Sequence, residues 1–208
     1  MNELSMGETL DKLYECAIYG KVPGTDSAID LANCYLKKSG TLEEKINSLI
    51  RYQNAKSATS GFLTGLGGLI TLPLAIPANV ASVLYIQIRM IAAIACMTNH
   101  DLKDDKVQTM IYMCLGGSNF IRSALKNLGI NIITKSISKE LIAKVSSAFI
   151  MSLKKQIIIK LLVKFGPKNV LISYTKAIPI IGGIVGGTVD GISTNLIGEA
   201  AKLMFLEK

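Results

Sequence analysis

The chain has 208 residues and a formal net charge of +8, with 50% of its residues apolar and 18% charged. That length fills one domain or two small ones. A charged share below the usual quarter or so leaves little to cover an exterior, which favours an oligomer, a peripheral membrane protein or a protein with an apolar ligand groove. Four cysteines without a CxxC spacing and a single histidine exclude a disulfide scaffold and the common zinc sites. Cys16, Cys34, Cys96 and Cys114 are expected as free buried thiols in a reducing cytosol.

The first helix is predicted from Met6, Leu10, Leu13, Tyr14 and Ala17, ending near Gly20. KVPGTDS reads as a turn. Asp26 or Ser27 then caps a helix carrying Ile29, Leu31, Ala32, Tyr35 and Leu36. Thr41 and Glu44 stand at capping-box spacing, and their helix runs through Ile46, Leu49 and Ile50 towards Ser57. From Ser57 to Ile88 the sequence SATSGFLTGLGGLITLPLAIPANVASVLYIQI contains no charge. Gly61 and Gly65 have the spacing that lets two helices approach closely. Pro73 and Pro77 break the run. A helix is expected from about Ala78 to Met97, long enough to cross a hydrocarbon core. Arg89 within it makes insertion costly, so burial in a protein core with Arg89 paired stands beside a membrane span.

TNHDLKDDK is a polar connector, expected to be exposed, and Asp101 or Asp104 caps a helix from Val107 to Leu115. GGSN separates it from a helix between about Asn119 and Gly129. Residues 131–164 form a cationic amphipathic stretch with Ile133, Ile137, Leu141, Val145 and Phe149 at helical spacing. Ile157 to Val163 is β-branched enough to leave a strand open, though the recurring lysines favour helix. Gly166 and Pro167 end it. After Pro179, Gly183, Gly187 and Gly191 form a glycine zipper with Gly182 and Gly186 beside it. The fold class that follows is all-α: a compact multi-helix bundle with glycine-mediated close packing at Gly61, Gly65, Gly183, Gly187 and Gly191.

The segments GFLTGLGGLITLPLAIPANVASVLYIQIRMIAAIA (61–95) and IPIIGGIVGGTVDGISTNLIGEAAKLMF (178–205) resemble the signature of the EcsC family of bacterial proteins. The likeness divides the chain into an N-terminal helical lead-in, 1–40, and an EcsC-like helical domain, 41–208. It implies an all-helical domain without a defined chemistry. Family members often carry Pro-Ala-Asp in the first motif, where this chain has Pro77, Ala78 and Asn79. Asparagine cannot act as a carboxylate ligand or general base. The matching arginine, Arg89, is retained, and Asp190 stands where many relatives are expected to hold an amide.

No nucleophile, base and oxyanion set is legible, and GLGG and GGIVGG lack the GK[ST] of a phosphate loop. Whether the chain is an enzyme stays open, and no cofactor or metal is implied. The polar residues set in apolar surroundings are Asn79, Arg89, Asp190, Ser193 and Asn195, and buried polar groups need partners. One reading is structural, such as an Arg89–Asp190 pair; the other is a small polar pocket for a lipid headgroup or other anion.

Charge is uneven. Residues 1–56 carry seven bases and eight acids, whereas Asn119 to Lys168 carry ten bases and one acid. Lys135, Lys139, Lys144, Lys154, Lys155, Lys160 and Lys164 are the expected anion-facing surface. Nucleic acid is the weaker partner, because these bases interleave with isoleucine and leucine and no DNA-binding pattern occurs. The expectation is a cytoplasmic protein without a classical signal segment. It associates peripherally with anionic membrane or lipid and can form a homo-oligomer. The alternatives are a membrane-permeabilising effector and an enzyme with a polar pocket near Arg89 and Asp190.

Overall fold

The computed structural model describes residues 3–57, 76–126, 146–165 and 194–206. Their elements are α1 (Glu3–Tyr19), α2 (Ala28–Leu36), α3 (Leu42–Ser57), α4 (Ala78–Met97), α5 (Asp105–Cys114), α6 (Ser118–Lys126), α7 (Ser147–Phe165) and α8 (Thr194–Phe205). The described residues are all-α and contain no strand, and Ile157 to Val163 lie within α7. The five zipper and spacing glycines lie outside them.

Local chemistry sets the boundaries. Gly20, at φ +62°, takes the left-handed turn after α1 that a side chain resists. Ser27 caps α2 by accepting from the Asp30 amide at 3.0 Å. Before α3 the Thr41 amide donates to Glu44 Oε2 at 2.8 Å and the Glu44 amide donates to Thr41 Oγ1 at 3.3 Å. That reciprocal box satisfies two helix-start donors at once. Asp104 caps α5 through the Lys106 amide at 2.8 Å. Pro77 precedes α4, where its missing N–H costs nothing.

Helix α4 is the axle of the bundle, packed by α1, α2, α3, α5 and α8, while α7 lies on α1 and α5. Its window Val80–Met97 is long and apolar enough to cross a membrane by length and composition, but 83% of it is buried against the rest of the protein. The N-terminal helices share this core. Met6, Leu10 and Leu13 of α1 and Leu31 and Tyr35 of α2 join Leu84, Ile88 and Ile91 of α4 in one apolar cluster.

Two close approaches set helix spacing. A methyl group on Gly198 of α8 would lie 2.6 Å from Ile50 Cγ2 of α3. One on Gly7 of α1 would lie 3.3 Å from Ile158 Cδ1 of α7. The described glycine-mediated contact of α8 with α3 is therefore at Gly198, downstream of the zipper.

Candidate functional site

Arg89 lies in the middle of α4 and is 1% exposed, the largest of the fully buried side chains. Burying a guanidinium costs several kcal/mol unless other groups answer it. Two acceptors do so. Nη1 donates to the Asp26 carbonyl in the α1–α2 turn at 3.1 Å, and Nη2 donates to Gln53 Oε1 of α3 at 3.2 Å. A guanidinium only donates, which fixes the Gln53 amide with its oxygen towards Arg89. The Nε of Arg89 and the Nε2 of Gln53 have no acceptor among the described residues. Gln53 is 0% exposed, and its NH₂ sits on the same carbon as the oxygen that Arg89 holds. The two unanswered donors are therefore neighbours. Among the described residues no carboxylate pairs with Arg89.

Tyr85, one turn before Arg89, extends the cluster. Its ring centre lies 5.6 Å from the guanidinium carbon. Thr25 Oγ1 gives its proton to the Val22 carbonyl at 2.9 Å, so the Tyr85 hydroxyl is the donor in their 2.6 Å contact. Burial pushes the Tyr85 phenol above its ordinary value, against the lowering pull of the Arg89 charge. The result is a neutral phenol beside a cation, in a nest to which the described residues bring no anion.

Of the other polar candidates, Asn79 is in the first turn of α4, and its side chain is outside the described set. Asp190 and Ser193 also lie outside the described residues. Asn195 is exposed on α8. Thr25, Gln53 and Tyr85 are absent from the candidates drawn from sequence. The sequence did carry a signal for Gln53. Ile46, Leu49, Ile50 and position 53 form one helical stripe, so a glutamine there is a polar residue on a core-facing line.

The cationic stretch is partly committed to internal bonds. Lys154 pairs with Asp11 of α1 at 3.2 Å. Lys160 donates to the Gly116 carbonyl at 2.9 Å and lies over the Phe120 ring, 4.6 Å from its centre. Lys155 is exposed. Lys135, Lys139 and Lys144 lie outside the described residues, as does the side chain of Lys164.

His100 departs from the expected exposed connector. Its Nδ1 is 3.0 Å from Thr98 Oγ1, and its ring meets Phe205 edge-on at 5.0 Å, so α8 covers part of the connector. The cysteines also differ from expectation in two places, one of them Cys96, which is only half-buried. Cys16 and Cys114 are buried, but Cys34 is exposed. Among the described residues no group of His, Cys, Asp or Glu is arranged to hold a metal ion. A surface groove of about 260 Å³ runs between α3, α6 and α8, but its Glu43 and Glu199 are both drawn to Lys202.

The model of the EcsC protein family matches residues 8–206, nearly the whole chain. The chain belongs to the EcsC protein family. The match begins within α1, so in this EcsC protein the expected 1–40 lead-in is largely inside the family region as well as inside the common core. No curated protein and no solved structure matches the chain.

Proposed function

We propose that this EcsC protein is a lipid-binding, peripherally membrane-associated helical protein that takes an anionic headgroup at Arg89 and Gln53. One observation carries the reading. A wholly buried guanidinium is answered by a carbonyl and an amide, with two adjacent N–H groups left over and no carboxylate among the described partners. A phosphate or carboxylate oxygen supplies both the missing acceptor and the missing charge, and Arg is well suited to hold either through parallel N–H bonds. The low charged share and apolar surplus of the chain agree with a lipidic ligand.

Thermal unfolding with soluble short-chain phosphatidylglycerol or phosphatidylcholine tests this. A ligand that binds the folded state raises Tm in proportion to its affinity and concentration. The expected result is a rise with the anionic lipid, none with the zwitterionic one, and loss of the response in Arg89→Gln variants whose circular dichroism remains native. No response to either lipid, or an equal response to both, rejects the headgroup site. Asp190→Asn distinguishes an internal counter-ion. If Asp190 closes the site, this variant is destabilised and gains an anion response that the parent protein lacks.

A further inference from the structure

The α2–α3 layer has a second side. Gln53 faces Arg89, while Tyr52, its neighbour on α3, is 49% exposed, and Leu36 at the end of α2 is 37% exposed. Lysines cover the aromatic rings of this layer. Lys38 Nζ lies 3.8 Å from the centre of the Tyr35 ring, and Lys56 Nζ lies 5.2 Å from that of Tyr52. Lys45 reaches across from α3 to donate to the Leu36 carbonyl at 2.9 Å, which fastens the end of α2 beside α3. Burial pushes the Tyr35 phenol up, and Tyr52 adds to the effect. The Lys45–Leu36 bond and the packing of α2 on α3 hold these residues in one layer.

Its charge is unbalanced for a local reason. From Ala28 to Ser57 there are five bases, Lys37, Lys38, Lys45, Arg51 and Lys56, against three acids. Each acid is engaged elsewhere. Asp30 is held by the Ser27 hydroxyl at 2.6 Å, Glu44 closes the capping box, and Glu43 turns to Lys202 of α8 at 3.6 Å. Five bases less three acids leave the segment at net +2, which makes the local potential positive.

We infer that this α2–α3 face, with Leu36 and Tyr52 ringed by Lys37, Lys38 and Lys56, is the surface that docks on an anionic bilayer. It rests on the lipid reading above and assigns that reading its membrane-facing side. Long lysine stems beside a half-exposed tyrosine and leucine match the headgroup layer, where apolar bodies go inward and charged tips stay with phosphate. Nucleic acid fits less well, because Tyr35 is buried and Tyr52 is then a single half-exposed ring where successive bases need a series of stacking platforms. Immediately after Ser57 the sequence remains uncharged as far as Ile88, so the cationic collar stands where charged sequence gives way to apolar sequence. The same helix that carries Tyr52 presents Gln53 to Arg89.

The full chain is tested by flotation with vesicles of phosphatidylcholine alone and of phosphatidylcholine mixed with phosphatidylglycerol. The parent protein is expected to float with the mixed vesicles only. Lys38→Glu with Lys56→Glu is expected to weaken that partitioning by at least about tenfold, while Lys103→Glu in the exposed α4–α5 connector leaves it unchanged. The chain has no tryptophan, so Tyr52→Trp is a lone fluorescent reporter, expected to shift to the blue on the mixed vesicles. Parent protein that floats, with an unaffected double variant or an unshifted Trp at position 52, overturns this face while leaving the lipid reading in place. Parent protein that floats with neither vesicle sinks the lipid reading, and this face with it.

Discussion

Arg89 donates through Nη2 to Gln53 Oε1 at 3.2 Å, and neither side chain reaches solvent. The bond joins the central helix α4 to α3 with a charge on one side and a neutral amide on the other. Gln53→Leu removes the acceptor and keeps much of the volume, stranding Nη2 beside the already unanswered Nε. A loss of about 1–3 kcal/mol is expected in urea denaturation. Gln53→Glu is the informative contrast, because it supplies a counter-ion from the chain. It should be more stable than Gln53→Leu and should no longer be stabilised by short-chain phosphatidylglycerol. A Glu variant that is less stable than the Leu variant would contradict the headgroup reading of this site.

Gly198 and Ile50 occupy the same space. The methyl group of an alanine at 198 would fall 2.6 to 2.9 Å from three carbons of Ile50. Alanine is the better helix former, so propensity alone forecasts a gain from Gly198→Ala. Overpacking opposes it, typically by 1–3 kcal/mol, and the β-branched Ile50 has little rotamer freedom with which to withdraw. A net loss is expected. Ile50→Val removes one of the three crowded carbons, so the double variant should be more stable than the two single losses added together. Simple additivity would show that α8 moves away from α3 without hindrance.

These contacts also show what was legible before any coordinates. Ser27, the Thr41–Glu44 box, Asp104 and Pro77 act within a few residues of themselves, so the starts of α2, α3, α5 and α4 could be read from sequence. The all-helical class follows from the same local signals. Arg89 was legible as a charge in an apolar run, because a guanidinium needs partners wherever the chain buries it. Its partners were not, since the Asp26 carbonyl is backbone from a turn 63 positions away and Gln53 lies on another helix. His100 failed for the same reason: its connector is polar in sequence, yet Phe205 of α8 folds over it. The lysines of α7 show the limit of counting charge, because charge density does not reveal that Lys154 turns to Asp11 and Lys160 to Gly116.

Asp11 of α1 is the shared acceptor of donors from two other helices. Its Oδ1 receives Gln108 Nε2 and the Tyr112 hydroxyl, each at 3.0 Å, and Lys154 Nζ at 3.2 Å. It thereby joins α1 to α5 and α7. The Asp11–Lys154 pair is partly exposed and adds little by itself. The greater part comes from Tyr112, which is 0% exposed and would be left holding a proton without its acceptor. Asp11→Ala is expected to cost about 2 kcal/mol. In a Tyr112→Phe background the same change should cost distinctly less, because the orphaned hydroxyl is then absent. Equal losses in both backgrounds would assign the effect to Lys154 or Gln108 instead.

Alkaline pH should loosen the bundle through its buried phenols. Tyr14 donates to the Leu102 carbonyl at 2.8 Å, Tyr85 to Thr25 and Tyr112 to Asp11. Burial is the main reason that all three are raised above their ordinary value of 10.0, and the charge of Asp11 pushes Tyr112 further in the same direction. The folded protein therefore keeps these protons to higher pH than the unfolded chain does. Their contribution is fully present below about pH 10 and is lost as pH rises from there through the folded values. The buried thiol of Cys114, also raised by burial, acts with the same sign from its ordinary value of 9.0 upward. Each tyrosine steepens the decline by up to about 1.4 kcal/mol per pH unit while the unfolded form is ionised and the folded form is not. Urea midpoints measured from neutral pH to about pH 11 should be level at first and then fall. Tyr85→Phe, which cannot ionise, should make that fall shallower. A midpoint that stays level through the alkaline range, or an unchanged slope in Tyr85→Phe, would mean that water reaches these phenols in the folded protein.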